Sequence, residues 1–183
     1  MMFSSEDIRE ALKNGSLKIS PFFEESIRPG GIVLCLGETL LRPEPGTVVD
    51  VKNKIVPKYQ EIIISDEEPY CIEPGDFVLG HTYEKVSVGN NLGFFIEGRS
   101  TLARVGLTVV HTAMLVYPGH TERGITLEIA NHGKNPVLLY PRMKIARAAI
   151  IELKTAAAKA YDVDGKYREQ AVVGPPIFKK EFF

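Results

Sequence analysis

Residues 124–131 read Gly-Ile-Thr-Leu-Glu-Ile-Ala-Asn, with Ile125, Leu127 and Ile129 alternating with Thr126 and Glu128. Successive side chains of an extended chain point to opposite faces, so this stretch is a strand with one apolar face and a carboxylate on the other. The same theme recurs outward from it in short runs: GGIVLCLG (30–37), GTVVDV (46–51), EIIIS (61–65), DFVLGHTYEKVSV (76–88), LGFFIEG (92–98), LTVVHTAMLV (107–116), NPVLLY (135–140) and KIARAAIIEL (144–153). Gly, Pro and Asn punctuate them, and 16 Gly with 12 Pro suit many short strands joined by turns. The pattern predicts a mainly β fold, a sandwich or barrel. The clearest helix is EDIREALK (6–13), capped by Ser4 or Ser5 and ended by Asn14-Gly15.

The chain has 183 residues, 44% hydrophobic and 25% charged, which predicts one domain over 1–183 with a real core rather than a disordered or fibrous protein. With 22 Lys+Arg against 23 Asp+Glu the net charge is -1, so the general basic footprint of a nucleic-acid or membrane-surface binder is absent. No apolar run approaches the ~18 to 20 residues of a membrane span, and the charged, helix-like start is unlike a signal peptide. A cytoplasmic protein is expected. Cys35 and Cys71 stand alone without a CxxC motif, which predicts buried free thiols rather than zinc or redox chemistry. TAAAKA (155–160) reads as a turn of helix or a linker without functional signal.

Three groups of residues could carry chemistry. In GRSTLARVGL (98–107), Arg99, Ser100 and Thr101 follow a glycine and can donate hydrogen bonds to phosphate oxygens. If 99–104 is helical, Ser100 and Arg104 share a face; alternatively the string is a capped surface helix with solvated arginines. Glu128 could act as a general base, although a glutamate on an open sheet face is ordinary. The histidines, His81, His111, His120 and His132, lack HxH or HxxxH spacing, and no nucleophile elbow accompanies them. The HxE and PCxxC elements of zinc nucleobase deaminases are also missing. Any deamination would proceed without zinc. The tail from Asp162 to Phe183 mixes charged and apolar residues, contains Pro175-Pro176 and ends in Phe182-Phe183, an ending suited to docking on another subunit or closing over a site.

In order along the chain, SSEDIREALKNGSLKISPF, RPGGIVLCLG, IEPGDFVLGHTYEKVSV, GRSTLARVGL, Thr112-Ala113, Pro118-Gly119, ITLEIAN, LYPRMKIA and KYREQ together resemble the metal-independent dCTP deaminases, which share a fold with trimeric dUTPases. The resemblance implies a distorted β-barrel or jelly-roll subunit in a homotrimer, with sites at subunit interfaces and residues 162–183 folding over bound nucleotide. By motif position, Glu128 resembles the catalytic glutamate, Ser100 and Arg104 its partners around the base and water, and Ala113 the residue whose backbone holds water or base. Arg99, Ser100 and Thr101 resemble the triphosphate contacts, joined by Lys166, Gln170 and Tyr161, with Thr112 and Tyr117 beside the base and sugar. The implied reaction is hydrolysis of dCTP to dUTP and ammonia, with Mg²⁺ carried on the triphosphate. The alternatives are a dUTP diphosphatase, a bifunctional enzyme or a non-catalytic nucleotide-binding paralogue.

The chain departs from that pattern in several places. Tyr117 stands where the family usually has an Asp that faces the deoxyribose and helps set the hydrolytic water of dUTPases and bifunctional members. The aromatic residue usual after Pro-Gly is His120, and the loop to Glu128 is one residue longer than typical. Val33 and Arg142 stand where Asp and Gly are more common.

Overall fold

The computed structural model describes residues 1–170, 172–179 and 181. Helix α1 (Ser5–Asn14) opens the chain. The Ser4 side chain accepts the Asp7 N–H while the Asp7 carboxylate accepts the Ser4 N–H, and Gly15 ends the helix in the left-handed conformation. The strands that follow are β1 (Leu17–Ser20), β2 (Ile27–Arg28), β3 (Gly31–Cys35), β4 (Thr39–Pro43), β5 (Tyr59–Ile63), β6 (Tyr70–Ile72), β7 (Phe77–His81), β8 (Lys85–Val88) and β9 (Leu92–Gly98). After the one-turn helix α2 (Ser100–Ala103) come β10 (Leu107–Thr108), β11 (Leu115–Val116), β12 (Thr126–Asn131), β13 (Val137–Leu139) and β14 (Lys144–Glu152), then the short α3 (Tyr161–Asp164).

The strands form two five-stranded antiparallel sheets, β10-β12-β7-β4-β5 and β11-β9-β14-β3-β2, and two ribbons, β1-β8 and β13-β6. The fold is mainly β, as the strand pattern predicts, with the jelly-roll-like sheets that the resemblance implies. The strands do not close into a barrel. One apolar cluster draws on both large sheets, including Leu34, Leu40, Phe94, Ile96, Leu127, Ile129 and Ile150. A register shift in β14 between Lys144 and Ala146 breaks the alternation and lets the adjacent Ile145 and Ala146 both reach the core. Among the described residues no helix is long and apolar enough to cross a membrane.

Local readings of the sequence hold unevenly. GTVVDV is a turn, not a strand: the Asp50 carboxylate accepts bonds from the Asn53 backbone and side-chain amides and folds the chain back, leaving Val48 exposed. Strand β4, short and ended by Arg42-Pro43, gives no such run yet buries Leu40 and Leu41. TAAAKA is not helical. Cys71 is exposed on β6, contrary to the expectation of burial, because it alternates with the buried Ile72. Cys35 is half-buried beside the buried Glu84 carboxylate, which accepts the Cys35 N–H at 2.9 Å. Burial, and next the Glu84 charge, push the Cys35 thiol up to about 11.

The β12 core face sets a stability test. Leu127 is fully buried, so Leu127→Ala is expected to lower unfolding free energy by about 2 to 5 kcal/mol in urea denaturation.

Candidate active site

The ladder between β7 and β12 pairs Thr126 with His81, Leu127 with Gly80, Glu128 with Leu79, Ile129 with Val78 and Ala130 with Phe77. Directly opposed residues share a face, so Phe77, Leu79, Thr126 and Glu128 lie together on the side away from Val78, Leu127 and Ile129. They floor a cavity of about 570 Å³, within the size range of small-molecule sites. Its rim is His111-Thr112-Ala113 on one side and Tyr117, His120 and Arg123 on another, and Tyr161, Tyr167, Gln170, Gly174 and Pro176 contribute from the C-terminal arm.

Glu128 is half-buried, and its backbone is fastened by donating to the Val109 carbonyl at 3.0 Å. Its Oε2 accepts the His111 N–H at 2.9 Å. That bond ties the carboxylate to the turn carrying Thr112 and Ala113, so two segments distant in sequence meet at one wall. The carboxylate keeps acceptor capacity for a further proton donor.

The opposite wall is the loop 117–124 with the arm docked on it. Tyr161 donates its N–H to the Pro118 carbonyl at 2.8 Å. Gly119 has φ 78°, and a Cβ there would lie 2.5 Å from that of Ala160, so both its conformation and the approach of the arm need glycine. The Tyr117 and Tyr161 rings are parallel, 5.9 Å between centroids, and Arg123 stands 5.8 Å from the Tyr161 centroid. Arg123 pairs with Asp162 and also donates to the Arg168 carbonyl. Further along, Gln170 Nε2 donates to Thr126 Oγ1 at 2.9 Å.

Of the residues singled out in the sequence, Glu128, Ala113, Thr112, Tyr117, Tyr161 and Gln170 line this cavity. Arg99, Ser100, Thr101 and Arg104 do not. They belong to α2 and its ends, where Ser100, Thr101 and Arg104 are exposed and Arg99 donates to the Lys144 carbonyl at 3.1 Å. Lys166 is ion-paired with Glu181 rather than lining the cavity. Phe182 and Phe183 lie outside the described residues. The cavity residues not singled out include Phe77, Thr126, Arg123 and Tyr167. Phe77 and Thr126 follow from the same two-residue alternation that exposes Glu128, whereas no local pattern marks Arg123.

A model of the dCTP deaminase-like family matches residues 2–153. The chain belongs to that family. It is 34% identical over 185 residues to the dCTP deaminase of Haloarcula marismortui, covering 98% of this chain and 94% of that protein. To the dUMP-forming dCTP deaminase of Coprothermobacter proteolyticus it is 37% identical over 172 residues, covering 93% and 92%. The solved 2'-deoxycytidine 5'-triphosphate deaminase of Agrobacterium tumefaciens superposes with a TM-score of 0.62 at 18% identity. That match covers 81% of this chain and 47% of that one, so the chain spans about half its length, and the likeness is one of fold.

His120, buried under the arm, is held below the ordinary histidine range chiefly by burial, with the Arg123 charge adding and the Arg123 carbonyl opposing. A depressed folded-state value means that the neutral ring stabilises the fold above about pH 6.5 and that this is lost as pH falls through the folded value. The His120 ring is expected to titrate below about 6.5 in NMR. His120→Gln should lose less stability than the wild type between about pH 7.5 and 5.5.

Proposed function

We propose that the protein hydrolyses dCTP to dUTP and ammonia, in pyrimidine deoxynucleotide metabolism, with Glu128 as general acid and base. The observation that carries this reading is the Glu128 carboxylate on the cavity wall, oriented by the His111 N–H beside Thr112-Ala113. Glu128 takes a proton from water as its oxygen attacks carbon 4 of cytosine and delivers one to ring nitrogen 3. Glu128 then takes the remaining proton from the new hydroxyl at carbon 4 and passes it to the amine, so the carbonyl forms as the carbon–nitrogen bond breaks, and water and dCTP become dUTP and ammonia. The Ala113 backbone holds the water or base at the wall. Ser100 and Arg104 orient water and offset charge in the tetrahedral intermediate.

Ser100 and Arg104 sit on exposed α2 outside the chain's own cavity, which supports a homotrimer in which a neighbouring subunit's α2 completes each site. On this reading Arg99, Ser100 and Thr101 bind the triphosphate with Lys166, Gln170 and Tyr161, Tyr117 contacts the sugar, and Thr112 also binds substrate. The chain is one domain, residues 1–183, whose segment 162–183 closes over the site. Mg²⁺ is carried on the triphosphate oxygens, where it neutralises charge, rather than in a protein cage. The reaction proceeds without zinc, and the protein acts in the cytoplasm on a soluble nucleotide, with neither nucleic acid nor membrane as partner.

Relatives named dUMP-forming keep a second reading in view, a bifunctional enzyme or dUTP diphosphatase. Tyr117 weighs against it, because a phenol is not a carboxylate base at neutral pH and this one is stacked on Tyr161. A product assay separating dUTP, dUMP, ammonia and pyrophosphate is expected to show dCTP converted to dUTP and dUTP left intact, with a gain of dUTP hydrolysis in Tyr117→Asp. Robust dUMP from the wild type would promote the bifunctional reading. Absence of turnover with retained dCTP binding would favour a non-catalytic paralogue.

Glu128→Gln should reduce turnover by about 10²- to 10⁴-fold with nucleotide affinity nearly unchanged. Near wild-type deamination by this variant would return Glu128 to an ordinary strand residue. A zinc-selective chelator should leave the rate unaltered, and mass in solution should be that of three chains.

A further inference from the structure

We propose that Arg123 is a positioning residue that latches the C-terminal arm over the cavity before nucleotide arrives, setting Tyr161 and Gln170 in place for binding. Arg123 is in the 117–124 loop against which the arm docks, and its side chain is only 13% exposed. It grips the arm at three points: the Asp162 carboxylate, the Arg168 carbonyl and the face of Tyr161. A planar guanidinium with five donors can serve all three at once, which the single ammonium of lysine cannot. Because the pair is largely withdrawn from water, removing either partner leaves the other poorly compensated, unlike an exposed surface pair.

The contacts bear on binding because of what lies between them. Asp162 and Arg168 flank the stretch that carries Tyr167, and Gln170 follows immediately with its bond to Thr126, two residues before Glu128 on the same strand face. Ordering the arm in advance lowers the entropy that nucleotide binding must otherwise offset, so the latch acts on affinity rather than on bond breaking. This rests on the dCTP deaminase reading for its kinetic consequence but not for the latch itself.

The test uses the full-length protein in its native assembly. Trypsin cleavage after Lys166 or Arg168 reports arm opening directly, since Arg123 holds the Arg168 carbonyl. Without nucleotide, Arg123→Gln and Asp162→Asn are each expected to accelerate that cleavage about tenfold. The double variant should be no faster than the faster single, as for partners in one interaction. The urea midpoint should be unchanged and Arg123→Lys should recover part of the protection. With dCTP, KM should rise, by less than the cleavage factor while the closed arm remains the majority form, and kcat should fall less than KM rises. Cleavage at the wild-type rate, strictly additive single effects, or a urea midpoint lowered in proportion to the faster cleavage would overturn the latch. A fall in kcat at constant KM would equally overturn it, placing Arg123 at the reacting atoms. If the wild type does not turn over dCTP, the substrate reading fails, and the nucleotide-free proteolysis decides the latch on its own.

Discussion

The antiparallel register of β7 against β12 is the constraint on which the site depends. Five consecutive pairs, from Thr126–His81 to Ala130–Phe77, decide which side chains enter the core and which face outward. A slip of one residue would turn Leu127 and Ile129 toward the cavity and bury the Glu128 carboxylate in hydrocarbon. The apolar pressure that stabilises the fold therefore also aims the carboxylate. The His111 N–H then restricts its rotation, and that bond exists only because β12 brings residue 128 beside the turn after β10.

The two walls of the cavity differ in physical character. The floor is sheet, with every side chain indexed by backbone hydrogen bonds to neighbouring strands. The cover is an arm held by side chains, an aromatic stack and a few isolated bonds. Such a cover can open at a cost far below that of unfolding the sheet, because few buried apolar contacts are lost. Tyr117 belongs to the fixed wall, and its ring, stacked on Tyr161, seats the arm.

Legibility in the sequence followed the range of the interactions. Alternation over 124–131 exposed the outward glutamate because the period of a strand is local, and α1 was readable from its caps for the same reason. GTVVDV misled because β-branched composition suggested a strand while Asp50 and Asn53 formed a turn through side-chain bonds. The α2 residues were recognisable as a phosphate-type motif, but whether they meet the chain's own cavity depends on tertiary packing, and they do not. Arg123 carried no signal at all, since its partner Asp162 is 39 residues distant and joined by no periodic pattern.

The segment from His120 to Gly124 is bounded on one side by a glycine turn and on the other by the first pair of the β7–β12 ladder. An insertion in this segment would be absorbed within the loop and not propagate into the strand, because moving the ladder would invert an entire buried face. Loop length thus becomes a variable that selection or an engineer can change independently of the Glu128 carboxylate. Segments grafted between Gly119 and Thr126 could alter how tightly the cavity is covered, and so how long a bound molecule resides, while the strand floor beneath them stays as it is.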